Sequence, residues 1–116
     1  MPLRFEPPVG SPADLTVVQA EKPLRPGLIR CWLQAEPARR LPNLAKVPAV
    51  IVTGEASFRA TMDECTAAFL EQAGAKPDRL ALAEHGIRGN GHMMMLEANN
   101  AEVADALIGW ITSKVR

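Results

Sequence analysis

The chain has 116 residues with 13 basic and 13 acidic side chains, so its formal net charge is zero. This length is enough for one small domain with its own core. The balanced charge, with no basic stripe or polybasic run, excludes nucleic acid and an anionic membrane as expected partners. The longest apolar stretch, residues 47–52, is far too short to span a bilayer.

The two cysteines, Cys31 and Cys65, lie far apart and lack the C-x-x-C spacing of a redox or metal motif. We interpret them as reduced core residues, because a free cysteine behaves as a small hydrophobe. Residues 1–8 lack the apolar core of a secretion signal. Together these features predict a cytoplasmic protein.

Nine of the ten prolines lie in the first 48 residues. Proline lacks a backbone donor and fixes φ, so this distribution predicts an irregular arm over residues 1–46. Within the arm, residues 28–33 (LIRCWL) are apolar enough to form a short buried helix.

Residues 47–54 (VPAVIVTG) form the clearest strand, because the run is short, β-branched and apolar on both faces. An amphipathic helix follows, over about residues 60–73, and Gly74 is placed to end it in a left-handed cap. Residues 79–83 (RLALA) predict a second strand.

A last helix follows the second strand and a glycine-rich turn. Asn99 or Asn100 is its expected N-cap, and Glu102 stands three residues after Asn99 in the capping-box position. Residues 47–116 therefore predict one strand–helix–strand–loop–helix unit. The fold class is α/β, with parallel strands joined by a helix within a single domain over residues 1–116.

His92 is the main candidate for chemistry. It stands in the run GIRGNGHMMM at residues 86–95, after the second strand, and three glycines give the backbone freedom to bring it into a cleft. Histidine is suited to general acid–base work, and α/β proteins place ligands at the carboxyl ends of parallel strands. The alternative is an ordinary polar loop residue. His85 is a weaker candidate, which the sequence equally describes as a local hydrogen-bonding residue.

Other chemistries find less support. His85 and His92 with Glu84 do not make a three-ligand metal set of known spacing. The glycine pattern differs from G-x-G-x-x-G, so no phosphate cradle and no cofactor is expected. Residues 93–95 (MMM) are either packing material or the lining of an acyl pocket. No serine lies in a G-x-S-x-G elbow. The three serines are Ser11, Ser57 and Ser113.

The chain resembles the C-terminal part of α/β-hydrolase-fold enzymes, and among them the bacterial serine esterases that lack a cap domain. The resemblance is carried by residues 89–95 (GNGHMMM), by Asn99-Asn100, and by the ending GWI at residues 109–111. Upstream, residues 48–57 (PAVIVTGEAS) are similar to the seventh strand of that fold and its exit loop.

The resemblance implies that His92 is the histidine of a Ser–acid–His triad. The serine would then lie upstream of this chain, because the triad order is serine, acid, histidine. The acid is open. The usual aspartate position after the seventh strand is occupied by Ser57, and Glu55 is two residues out of step. In the cap-less esterases a glutamate after the sixth strand, again upstream, takes this role.

Two functions follow from this reading. The first is the C-terminal segment of a serine carboxylester hydrolase, which supplies His92 and acts on a small-molecule ester once the nucleophile is provided. The second is a non-catalytic interaction or remnant module, or one half of a split hydrolase. In either case the strand at residues 47–52 has an unpaired edge, which favours self-association or pairing with an N-terminal portion.

Overall fold

A computed structural model describes residues 2–115, and Met1 and Arg116 lie outside this description. The described residues form two compact units. One comprises residues 2–49 with Thr61–Pro77, and the other comprises Val50–Ala60 with residues 78–115. The sequence predicts an arm that ends at residue 46, whereas the first helix belongs to the same unit as that arm.

The regular elements are short except for the last helix. The strands are β1 (Val17–Gln19), β2 (Trp32–Gln34), β3 (Val50–Thr53) and β4 (Asp78–Ala81). The helices are α1 (Asp63–Gln72) and α2 (Asn100–Lys114). Single 3₁₀ turns cover Pro12–Asp14, Leu44–Lys46, Leu82–His85 and Met94–Leu96.

In the first unit, β1 and β2 form an antiparallel pair in which Val18 lies opposite Leu33. The helix expected at residues 28–33 is therefore wrong. Periodicity cannot distinguish a short apolar run in a helix from one in a strand. The long-range partner at β1 decides the conformation here.

Helix α1 is attached to β2 by a side-chain amide, which forms the pair of backbone hydrogen bonds that a neighbouring strand would form. Gln72 accepts a hydrogen bond from the backbone N–H of Gln34 at 3.0 Å and donates to the Gln34 carbonyl at 3.1 Å. Gln34 itself is buried, so its backbone groups need such partners. One glutamine amide thus satisfies both polar groups of a buried strand residue.

Arg39 holds the proline-rich segment that precedes β1. Its guanidinium donates to the carbonyl oxygens of Pro7 and Pro8 at 2.8 and 2.9 Å and to that of Asp14 at 3.2 Å. Prolines offer no backbone donor, so a side-chain donor is an effective way to order their carbonyls.

A disulfide bond joins Cys31, just before β2, to Cys65 in the first turn of α1, with 5.2 Å between the Cα atoms. The interpretation of both residues as reduced thiols is therefore wrong, although Cys31 is buried as expected. Sequence spacing carried no information about this pair, because the two positions are 34 residues apart and meet only through the fold.

The end of α1 agrees with the sequence. Gly74 has φ +92, and its N–H donates to the Glu71 carbonyl while the Ala75 N–H donates to the Leu70 carbonyl. This is the Schellman arrangement, which requires a left-handed residue after the helix. Glycine adopts that conformation without a Cβ penalty.

In the second unit, β3 and β4 are parallel, with Val50 opposite Asp78 and Thr53 opposite Ala81. Both strands lie within two or three residues of their predicted positions. The β-branched sequence of β3 suits a half-buried pleated surface. Within residues 2–115, the sheet that contains β3 has two strands.

The core of this unit is built from β4, the segments that follow it, and α2. Its buried members are Leu80, Leu82, Ile87, Met94 and Val103, with Val50, Val52, Ala106 and Leu107 packed against them. Met94 and Ile87 lie on either side of the glycine-rich turn. That turn is therefore fixed to the core at both ends.

The C-terminal half of α2 is bound to the start of β4 by a polar contact. The Trp110 indole N–H donates to Asp78 at 2.8 Å, and the Lys114 ammonium lies 3.0 Å from the same carboxylate oxygen. These two donors, the indole first, hold the pKa of Asp78 below its usual range. The contact fixes the far end of the helix whose N-terminus faces the turn.

We expect the double change Cys31→Ala and Cys65→Ala to lower the free energy of unfolding by roughly 3–4 kcal/mol, because the bond restricts an unfolded loop of this length. Urea unfolding followed by tryptophan fluorescence measures this. As a control, a reducing agent should lower the midpoint of the native chain and leave that of the double variant unchanged. An identical urea midpoint for the native chain and the double variant, both measured without a reducing agent, would contradict the expectation.

Candidate functional site

The turn that carries His92 begins with two left-handed glycines. Gly86 has φ +76 and ends the 3₁₀ turn after β4, and Gly89 has φ +78. Such angles strain any residue with a Cβ. They redirect the chain so that residues 90–92 run past the exit of β3.

The amide of Asn90 is buried, with 1% of the residue exposed. Its nitrogen donates to Asn99 at 2.7 Å and to Glu97 at 3.1 Å, and its oxygen accepts from the Asn99 amide at 2.9 Å. Glu97 also accepts from the Gly91 N–H at 2.8 Å. We call Asn90, Glu97 and Asn99 the Asn90 cluster.

Asn99 has the predicted position at the N-terminus of α2 but not the predicted role. It is the N-cap residue, yet its side chain makes no cap hydrogen bond. The capping box with Glu102 is therefore wrong. The side chain of Asn99 binds the buried Asn90 amide instead, because an unpaired buried amide costs more than an unmade cap on an exposed helix end.

The turn also makes a backbone contact with the exit of β3. The Ala56 N–H donates to the Asn90 carbonyl at 2.9 Å. A Cβ atom on Gly54 would lie 2.4 Å from that same carbonyl oxygen and 2.8 Å from the Gly91 carbonyl oxygen. Gly54 is thus required for the close approach of two backbone segments.

His92 projects from this fixed turn and is exposed. Its ring contacts Phe58, with the ring centroids 4.8 Å apart and the planes tilted by 59°. A tilted arrangement at this distance is favourable for two aromatic rings. Among residues 2–115, no carboxylate forms a hydrogen bond or ion pair with His92.

A mainly apolar groove of about 560 Å³ adjoins His92. One wall of the groove is formed by residues 92–95, and another by α2 through Ala101, Ala104 and Leu107. Met93, Met94 and Met95 all line the groove, and Met94 is also buried in the core while the other two are exposed. Met94 agrees with the interpretation as packing material, and the interpretation of the run as the lining of an acyl pocket stays a prediction.

Glu55, the other predicted site residue, has a different partner from His92. Its carboxylate pairs with the Arg88 guanidinium at 2.6 Å, and Arg88 is largely exposed. Exposed ion pairs of this kind contribute little to stability. The structure therefore brings His92 to Phe58 and Glu55 to Arg88, and the role of Glu55 as an acid stays a prediction.

The remaining polar candidates have local contacts. Ser57 is buried, and its hydroxyl accepts the Arg59 N–H at 3.0 Å. Ser113 donates to the Trp110 carbonyl within α2 at 2.7 Å. His85 is exposed at the end of a 3₁₀ turn, and its ring does not share the Phe58 contact.

Neither a metal centre nor a membrane span is found in the described part of the chain. Within residues 2–115, no three His, Cys, Asp or Glu side chains come together as a metal-binding group. No helix in that range has both the length and the apolar character needed to cross a bilayer.

Comparison with known proteins gives one informative similarity. A protein named as a probable secreted lipase, phiG, from a fungal species (strain ATCC 74256) is 41% identical to this chain over 112 residues. The match covers 94% of this chain and 30% of the relative, so the chain spans less than a third of that protein's length. No protein-family model and no solved structure matches the chain. The chain thus has a homologue that is named as a probable secreted lipase.

The predicted cytoplasmic location is wrong. The Cys31–Cys65 disulfide is typical of an oxidising compartment, and the lipase homologue is named as secreted. The mistaken location rested on the absence of an apolar core in residues 1–8 and on the interpretation of both cysteines as thiols, and the disulfide removes the second of these grounds.

The sequence did not single out Asn90, Glu97, Phe58 or the close approach at Gly54. Hydrophobic periodicity indicates which apolar residues face a core, but it carries no information about a buried amide side chain. The one available signal was Asn90 itself, a polar residue between two glycines in a turn that must pack closely.

We expect Gly54→Ala to destabilise the second unit by about 1–3 kcal/mol, since the added methyl group would force two backbone segments apart. Gly109→Ala is the matched control. No atom lies within 4 Å of a Cβ at that helical position, so there alanine should be neutral or stabilising by up to about 1 kcal/mol. Thermal unfolding of both variants measures the difference, and equal midpoints would contradict the close contact.

Proposed function

We propose that this chain supplies the histidine of a serine carboxylester hydrolase of the lipase or esterase type, with His92 as general base and acid. The observation that carries the proposal is the exposed imidazole on a rigid turn beside an apolar groove. The similarity to a probable secreted lipase over nearly the whole chain supports it. The proposal includes the chain's place as a C-terminal βαβα portion of an α/β-hydrolase fold.

The chemistry is acyl transfer. His92 removes the proton from a serine hydroxyl contributed by another segment while the serine oxygen attacks the ester carbonyl carbon. It then gives that proton to the departing alcohol. In the second half, His92 removes a proton from water, and the water oxygen attacks the acyl carbon bonded to the serine. His92 then returns the proton to the serine oxygen as the acid is released, so His92 ends in its starting protonation state. Because the groove is apolar, we propose that it receives the hydrocarbon part of the ester.

An oxidising, extracellular compartment fits this function. The disulfide ties β2 to α1 in the first unit, and small secreted domains commonly rely on such bonds. We propose that the chain works outside the cytoplasm, since its relative is named as a probable secreted lipase.

A second candidate function has its own observation. Strand β3 is paired only with β4 within residues 2–115, and α2 exposes Ile108 and Ile111. A strand with one ladder partner and exposed apolar side chains on a helix are each typical of proteins that pair with another chain or segment. On this reading the chain is a non-catalytic interaction module, or one half of a split hydrolase.

Exchange of segments tests the role of His92. The 112 aligned residues of the lipase relative are replaced by this chain, and hydrolysis of a short-chain aryl ester is measured. We expect the chimera to be active and His92→Ala to lower turnover at least about a hundredfold, the usual range for loss of a general base. His85→Ala is the matched control, because it removes an exposed imidazole elsewhere in the same unit, and it should stay within about twofold.

Equal activity of the two histidine variants would contradict the catalytic role and favour the interaction module. An inactive unsubstituted chimera that is secreted and folded would contradict the proposal as well, because the aligned segment would then not replace its counterpart.

The 116-residue chain alone should not react as a serine hydrolase. Ser57 is buried in a hydrogen-bonded turn and Ser113 is bonded within α2, so neither is activated by His92. We expect a fluorophosphonate probe to leave the purified chain unlabelled, while an active serine esterase added to the same sample is labelled. Stoichiometric labelling at Ser57 would overturn this expectation.

A further inference from the structure

The Asn90 cluster leaves a favourable local interaction unmade. Asn99 occupies the N-cap of α2, where its side chain would normally accept a backbone N–H of the first turn. It binds the Asn90 amide instead. A conflict between local preference and tertiary contact of this kind is typical of functional positions.

Glu97 joins that buried amide to the peptide that precedes His92. One carboxylate oxygen accepts the Gly91 N–H at 2.8 Å and the other accepts the Asn90 amide at 3.1 Å. Both bonds have an ionised acceptor, which makes them stronger than bonds between neutral groups. The backbone is thereby fixed at the residue immediately before the imidazole.

The chain is fixed again two residues after His92. Met94 is buried against Leu82 and Val103 in the core of the unit. His92 therefore lies between a polar anchor and an apolar anchor, and its ring additionally contacts Phe58. Its backbone position is set before any substrate or partner arrives.

We propose that Asn90, Glu97 and Asn99 are positioning residues that hold the backbone of His92 in the geometry needed for proton transfer. This inference rests on the proposed function of His92. Small misplacements of a catalytic group reduce turnover strongly, so rigidity at this point has a direct kinetic consequence. None of the three residues is proposed to contact substrate.

The first experiment uses the 116-residue chain and needs no activity. Glu97→Gln retains one acceptor oxygen and places an NH₂ group against a donor, so one of the two bonds is lost. We expect hydrogen exchange to accelerate roughly tenfold at the donor that loses its acceptor, either the Gly91 amide or the Asn90 side-chain amide, and the NMR order parameter of the His92 amide to fall. Glu102→Gln is the matched control, because it removes the same charge from an exposed position and should change neither quantity.

The second experiment introduces the same two variants into the active chimera. We expect Glu97→Gln to lower kcat by about tenfold with KM within about twofold, because the positioning of the base affects the chemical step rather than ester binding. Glu102→Gln should leave both constants unchanged. A purely structural role for Glu97 would lower the unfolding temperature without this separation of kcat from KM.

The outcomes separate the two proposals. If exchange of both the Gly91 amide and the Asn90 side-chain amide is equal in the two glutamine variants, the cluster is overturned, whatever His92 does. Faster exchange at either amide with unchanged kcat overturns the positioning role while the bonds themselves are verified. Loss of activity in His92→Ala concerns the catalytic proposal alone. If Glu97→Gln does not fold, Asn99→Asp tests the cluster by the same measurements, since it places a carboxylate oxygen against the Asn90 oxygen.

Discussion

The buried amide of Asn90 is the constraint on which the second unit's candidate site depends. An amide removed from water must have its donors and its acceptor satisfied within the protein. Here two side chains, Glu97 and Asn99, provide those partners, and the backbone oxygen of Asn90 accepts a third group from the exit of β3. Satisfying one residue therefore fixes the turn, the N-terminus of α2 and the strand exit together.

The parts of the fold that could be predicted are those whose signal is local. Strand β3 is β-branched and apolar, α1 ends where Gly74 permits a left-handed residue, and α2 has an apolar face that packs on the core. Each of these follows from propensity, turn chemistry or hydrophobic spacing within a few residues. For the same reason the sequence drew attention to His92, which stands in an unusual glycine-rich run.

The parts that could not be predicted depend on partners distant in the chain. Residues 28–33 are as apolar as a helix would require, and only the pairing with β1 makes part of them a strand. The spacing of Cys31 and Cys65 does not indicate that their Cα atoms lie 5.2 Å apart. Asn99 is a residue type that favours the N-cap position, but its side chain binds the Asn90 amide instead. In each case a long-range contact is worth more than the local preference it replaces.

The proposed function divides the active site between this chain and another segment. The rigid turn, the exposed imidazole and the apolar groove are all contributed by the second unit. In residues 2–115 the one carboxylate raised as a triad acid, Glu55, pairs with Arg88 instead. The Asn90 cluster and the buried Met94 order the turn that carries His92, the general base of the proposed function, within this unit. Under the proposed function, a complementary segment would add the nucleophile, an acid and the oxyanion donors to an imidazole whose backbone is already fixed.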